Sequence, residues 1–241
     1  MSILSAEVRD TTISTGKPNP GNTPGLLPSV KACSNSHRER EGLEQYISSI
    51  FSAAYGARIL EYLPLLFSLE SDGVNQAALG LRSAHHGPLF CEQYLDVCAQ
   101  QHVRELYGRE AGRGQIMELG NLVATEPGHS GLLYIIITAA MHEAGIEYLL
   151  FAANKRVRNS IARCGFTPRE IRAAQQSRLG AQGLAWGRYY EGDPVVMLGD
   201  IALTMRQINT QPALQGIVDA YQFAIPALAD SIRIHMLSTV E

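Results

Sequence analysis

Gln115-Ile116-Met117-Glu118-Leu119-Gly120-Asn121-Leu122-Val123 is an apolar, strand-like run with one carboxylate in its middle and a Gly-Asn interruption after it. Glu126-Pro127-Gly128-His129-Ser130-Gly131 follows, a Gly-containing turn that opens an apolar helix. Glu118 reads in two ways. A carboxylate inside an apolar strand is costly unless it has a partner or faces a cleft. In a cleft it is suited to taking a proton from an amine or hydroxyl. The alternative is a partly exposed residue on the polar face of an edge strand. Gly120-Asn121 reads as a bulge whose freed backbone donors can hold a carbonyl oxygen, or as a simple local irregularity. Gly128, His129, Ser130 and Gly131 open a helix whose first N–H groups suit phosphate, although Ser130 also reads as an ordinary N-cap.

Outward from this stretch, hydrophobic periodicity predicts the other elements. Leu43, Ile47, Ile50, Phe51 and Ala54 make one apolar helix face within His37 to Ala57. Leu60 to Glu70 reads as a strand that turns at Ser71-Asp72-Gly73 into a hairpin partner, Gln76 to Arg82. Leu89 to Leu95 is apolar without a clear period. Asp96 to Tyr107 reads as a helix stopped by Gly108, and Ser130 to Ala144 as a helix stopped by Gly145. A short strand, Tyr148 to Ala153, precedes a basic helix, Lys155 to Arg163. Cys164-Gly165-Phe166 turns into another extended piece, and Val195 to Leu198 is the final strand. Beyond Ile201 the chain returns to helical spacing, with Pro226 kinking or splitting the element. These helices read as an extension packed on the domain, with a homodimer contact as the alternative. The order implies a mixed α/β sheet with helices on its faces.

Composition narrows the function. A 46% hydrophobic content supplies a core, and the net charge of −3 argues against a general grip on nucleic acid. Cys33, Cys91, Cys98 and Cys164 form no C-x-x-C pair, which points to a reduced cytoplasmic protein without a zinc site. No apolar run reaches the ~20 residues that span a bilayer. Residues 1–34, rich in Pro and Gly, read as a flexible arm.

Other residues carry weaker signals. Lys155, Arg156, Arg158 and Arg163 could meet a phosphate or an acidic carrier protein, or form a solvated face. His85-His86 has no evident metal-ligand companion. Trp186-Gly187-Arg188-Tyr189-Tyr190 concentrates aromatics, of which a Tyr could donate a proton, line a pocket or pack the core.

The order of elements resembles the GNAT N-acyltransferase fold. Asn154 through Gly165-Phe166 is similar to the segment of that fold that begins with Asn and ends in Gly-Phe. A closer resemblance, to the thermostable hemolysin family, rests on Leu63-Pro64-Leu65-Leu66, Ala78-Leu79-Gly80-Leu81-Arg82 and Leu89-Phe90-Cys91-Glu92-Gln93-Tyr94-Leu95. Glu118-Leu119-Gly120-Asn121-Leu122, Trp186 to Tyr190 and Asp193-Pro194-Val195-Val196 continue it, so that it covers residues 40 to 202. It departs at Phe151-Ala152-Ala153-Asn154, where the family tends to carry threonines. Acyl-homoserine-lactone synthases share the GNAT fold and carry a Glu in the corresponding strand, but with Ser-Arg where this chain has Gly120-Asn121.

The resemblance implies a GNAT-like mixed central sheet flanked by helices, with a flexible arm over 1–34, an acyltransferase domain over 35–205 and a C-terminal helical extension over 206–241. It implies transfer of an acyl group from an acyl-CoA or acyl carrier protein thioester to an amine or hydroxyl of a small metabolite, in secondary or signal-metabolite biosynthesis. No permanently bound cofactor or metal is implied; coenzyme A or phosphopantetheine is the donor carrier. Glu118 would be the base, Asn121 would orient the acceptor, and Tyr189 would stand in for a proton donor, because Ile161 occupies the usual place of a Tyr acid. Leu122, Val123, Gly128, His129, Ser130, Gly131, Asn154 and Arg158 would bind the donor. Arg82, Gln93, Tyr94, Trp186 and Tyr190 would bind the acceptor and acyl group. A membrane-active haemolysin and a non-catalytic carrier-binding module are the competing readings.

Overall fold

Leu65, Phe67 and Leu69 face one side of a sheet and Leu66 the other, because side chains alternate along a strand. That alternation places cores on both faces. The computed structural model of the chain describes residues 6–7, 27–126 and 128–238, with backbone alone at 6–7. In chain order the strands are β1 (Ala6–Glu7), β2 (Ser29–Cys33), β3 (Leu65–Ser71), β4 (Val74–Ser83), β5 (Ile116–Ala124), β6 (Tyr148–Ala153), β7 (Arg169–Ala173) and β8 (Val195–Asp200). The α-helices are α1 (Arg40–Tyr55), α2 (Ala99–Tyr107), α3 (His129–Glu143), α4 (Lys155–Arg163), α5 (Ile201–Asn209), α6 (Pro212–Ala220) and α7 (Ile225–Leu237). The strands are ordered β2-β3-β4-β5-β6-β8-β7, with β1 pairing β5 off that path. β5 and β6 run parallel, joined by the crossover helix α3; the other pairs along the path are antiparallel. The mixed α/β architecture is the one that the order of elements implied.

Local chemistry accounts for the best-predicted parts. Asp72 and Gly73 both take positive φ, 51° and 75°, as a two-residue hairpin turn with the twist of its strands requires. β6 and α4 have the expected bounds, the helix capped by Asn154, whose Oδ1 accepts from Val157 N at 3.0 Å.

Elsewhere the structure revises the boundaries. β3 starts at Leu65 rather than Leu60, because the backbone around Leu63 is engaged by side chains. Leu63 N donates to Asn121 Oδ1 at 2.9 Å, and its carbonyl accepts from the buried Arg40 at 2.7 Å. Leu89 to Leu95 contains a 3-10 turn, Cys91–Tyr94. The expected flexible arm over 1–34 lies outside the described residues except at 6–7 and from 27 onward. Its last part, Ser29–Cys33, is an edge strand on β3, with a Lys31–Glu70 ion pair at 2.6 Å.

One face of the sheet carries α1 and α2, and the other carries α3 with α5 to α7. Ile225, Leu228 and Ile232 of α7 share a buried cluster with Ile136 and Leu79. Each such fully buried aliphatic side chain contributes about 1.5–3 kcal/mol, so the C-terminal helices are part of the domain's core. The expected boundary at 205 falls inside α5, and Pro226 lies in the first turn of α7, splitting it from α6. Among the described residues no helix is long and apolar enough to cross a membrane.

Candidate active site

The site is built around β5. On one side β4 pairs it from Met117 to Ala124. The register shifts from Ala78↔Val123 to Gly80↔Gly120, so β5 carries an extra residue there. Asn121 sits in this bulge with φ 52°, a conformation that Asn tolerates better than most residues. Gly80 lies opposite: a Cβ there would come within 2.8 Å of Leu63 Cβ and 3.0 Å of Asn121 Oδ1. The Gly-Asn interruption is therefore a bulge, locked by the missing side chain of its neighbour. On the other side, β6 pairs β5 only from Ile116↔Tyr148 to Leu119↔Phe151. β6 continues to Ala153 against β8, so β6 leaves the edge of β5 beyond Leu119 unpaired, and β1 lies along it at Val123 and Ala124.

Glu118 sits just before this opening with 0% of its surface exposed, which removes the edge-strand reading. Its Oε1 accepts from Cys91 N at 2.7 Å and its Oε2 from Phe90 N at 3.1 Å. The carboxylate thus anchors the 3-10 turn Cys91–Tyr94 to the sheet. Burial, and then the Glu118 carboxylate beside it, push the Cys91 thiol well above the ordinary range.

Aromatics enclose this region. The Trp186 ring centroid lies 6.0 Å from those of both Phe90 and Tyr189, and Tyr189 lies 5.5 Å from Tyr190. Tyr94 and Tyr190 share a hydroxyl–hydroxyl hydrogen bond of 2.7 Å. Burial raises all three tyrosines, Tyr190 to about 12. Tyr189 is fully enclosed and its hydroxyl has no hydrogen-bond partner.

Asn121 is also fully buried. Its Oδ1 is taken by Leu63 N, whereas its Nδ2 has no partner. Leu122 and Val123 are buried in β5 beyond the bulge. The structure corrects one capping expectation: α3 starts at His129 with Gly128 as N-cap, and no side chain caps it. Ser130 is buried in the first turn, two positions past the cap. Asn154 caps α4 and its Nδ2 donates to Tyr55 Oη at 2.9 Å. Arg158 donates to the carbonyls of Ala153 and Asp193 at 3.0 and 2.6 Å, tying the end of β6 to the turn before β8.

Two expected acceptor residues take no part in these contacts. Gln93 is exposed. Arg82 bonds Glu61 at 2.8 Å and lines a separate polar cavity with His86 and His235. The rings of those two histidines stack at 5.0 Å. Sequence reasoning missed this pairing, because α7 brings His235 from the far end of the chain. It also missed the backbone of Phe90 and Cys91, which lay in an apolar segment without a period and in a family-matching motif that pointed to no backbone role. On the opposite face of the sheet from Glu118, Leu119, Ile137, Met141, Leu149, Phe151 and Ile161 line a narrow apolar cavity. Among the described residues no group of His, Cys, Asp and Glu is arranged to hold a metal, and the four cysteines are free thiols.

The family model described as Thermostable hemolysin matches residues 33–205. No curated protein matches the sequence. Among solved structures, FeeM, an N-acyl amino acid synthase from uncultured soil microbes, superposes with a TM-score of 0.51 at 14% identity, covering 75% of this chain and 94% of that one. The AHL synthase LasI gives 0.50 at 12% identity, over 73% and 91%. BjaI, a CoA-dependent acyl-homoserine lactone synthase with MTA bound, gives 0.53 at 15%, over 88% and 100%. At these identities the likeness establishes a common GNAT-like fold.

Proposed function

From the premise that this chain belongs to the thermostable hemolysin family, we propose that it is an acyltransferase. It takes an acyl group from a pantetheine thioester, on coenzyme A or an acyl carrier protein, and transfers it to the amine or hydroxyl of a small metabolite. The observation that carries this reading is in β5. Its pairing with β6 ends at Leu119↔Phe151, one residue past a fully buried carboxylate. One strand thereby supplies both a proton acceptor and a backbone edge that β6 leaves unpaired.

An extended pantetheine arm fits that edge. The acceptor nitrogen attacks the thioester carbonyl carbon, its proton passes to Glu118, and the C–S bond breaks. Each Glu118 oxygen accepts one backbone N–H and keeps capacity for another partner. Backbone donors at the Asn121 bulge stabilise the developing oxyanion. The thiolate takes its proton from Tyr190, which shares a hydrogen bond with Tyr94; Tyr189, enclosed and unpartnered, serves packing. The uncapped N-terminus of α3, at Gly128 and His129, suits a donor phosphate. Leu119 and Phe151, the last paired rung, also line the apolar cavity, so an acyl chain hanging from the opening has an apolar place to go. Asn154 and Arg158 act through the frame that they hold.

Intact-mass analysis of acyl-CoA and acyl-carrier donors incubated with the protein and candidate amines tests this reading. Loss of acyl from one donor class with matching gain on an amine supports it. Glu118→Gln should lower turnover about 100-fold or more, at a temperature where circular dichroism reports it folded. That control matters because the new amide NH2 would oppose one of the two backbone N–H groups. Near-normal turnover would remove Glu118 as the base.

A further inference from the structure

The edge of β5 that β6 leaves open is occupied. β1 lies on it in parallel, with Ala6 opposite Val123 and Glu7 opposite Ala124, and its backbone runs near α1 and α4. Leu122, Val123 and Ala124 are buried, so this edge is enclosed by the protein. An unpaired strand edge accepts extended backbone through its N–H and C=O groups whatever side chains that backbone carries.

We propose that this edge is a docking site for the chain's own N-terminal segment, and that the donor's pantetheine arm binds only by displacing it. The inference rests on the donor reading above. Pantetheine is itself an extended chain interrupted by secondary amides, so it calls for the same backbone donors and acceptors as β1. The two occupants overlap at Val123 and Ala124 and exclude one another. Residue 6 and the start of β2 at Ser29 belong to one continuous chain, so the peptide occupant is always present at high local concentration. A ladder as short as two residues holds the edge only weakly, with a bias of about ten-fold. That is enough to raise the donor concentration needed for turnover while leaving the site accessible.

The test compares the full chain with two variants. One lacks residues 1–26; the other carries Ala6→Pro and Glu7→Pro, which removes both backbone donors while keeping the chain whole. Hydrogen–deuterium exchange over residues 120–125 reads the occupancy of the edge, and calorimetric titration with coenzyme A reads the competition. We expect faster exchange in both variants and coenzyme A binding about ten-fold tighter than to the full chain. Added coenzyme A should also speed exchange at residues 6 and 7 of the full chain. Unchanged exchange over 120–125 in the variants would overturn the docking. Faster exchange with unchanged affinity would overturn the competition. If no form binds coenzyme A or phosphopantetheine although the edge has become exchangeable, the donor reading fails and takes the competition with it, leaving β1 as a structural strand. Should the truncated chain not fold, the proline pair decides.

Discussion

Arg82 and Glu118 face each other directly across the β4–β5 ladder, yet they occupy opposite chemical settings. Glu118 is sealed, and both of its oxygens are bound by backbone N–H groups of a turn 27 and 28 residues away. Arg82 reaches the half-exposed Glu61 and a polar cavity shared with His86 and His235. Sheet register makes the two residues neighbours; reach and burial decide what each one does. A short carboxylate on an enclosed strand must find its partners locally, whereas a long guanidinium carries its charge to the rim. This is why two residues that are neighbours in the ladder lie in different surroundings.

The contrast can be broken experimentally, most forcefully at its sealed end. Glu118→Ala leaves two buried N–H groups without an acceptor, and each costs about 1–3 kcal/mol. Chemical denaturation should report a loss of about 2–5 kcal/mol together with loss of acyl transfer. An unchanged midpoint would mean that the turn Cys91–Tyr94 does not depend on Glu118.

The cavity end should respond to pH instead. Burial, followed by His86 and Arg82, lowers His235 to about 4, and His86 is lowered as well. Above about 6.5 both imidazoles are neutral in the folded and unfolded chain. As pH falls from there toward about 4, the unfolded chain takes up protons that folded His235 resists, so stability declines across that window. Melting temperatures measured between pH 7 and pH 4 should show this slope, and His235→Phe should flatten it. The same slope in both proteins would place the titrating group elsewhere.

The smallest effect is expected at Arg82 itself. Arg82→Ala removes an ion pair whose acidic partner is nearly half exposed, and should cost less than about 1 kcal/mol in the same denaturation assay. A loss as large as that for Glu118→Ala would erase the distinction between the two places.

Much of this architecture was legible locally. Apolar runs marked β5 and β6, the basic stretch after β6 marked α4, and Asp72-Gly73 marked the hairpin. The Gly120-Asn121 interruption was readable as a bulge because a glycine inside a strand can mark one. β2 was missed because Ser29–Cys33 is an edge strand, only partly covered, whose composition follows a Pro-rich run. The 3-10 turn Cys91–Tyr94 was missed because the N–H groups at its start, Phe90 and Cys91, bond a side chain on another element.

The sequence by itself determined most of the segments that form strands and helices and that one carboxylate lies within the central strand, because periodicity and turns act over a few residues. Tertiary structure alone decided that Glu118 holds the turn at Phe90 and Cys91, that Arg82 joins His86 and His235, and that β1 lies on the edge left by β6. Those outcomes depend on sheet register and on which backbone groups remain unpaired once the strands are assembled, and no short stretch of the chain encodes them.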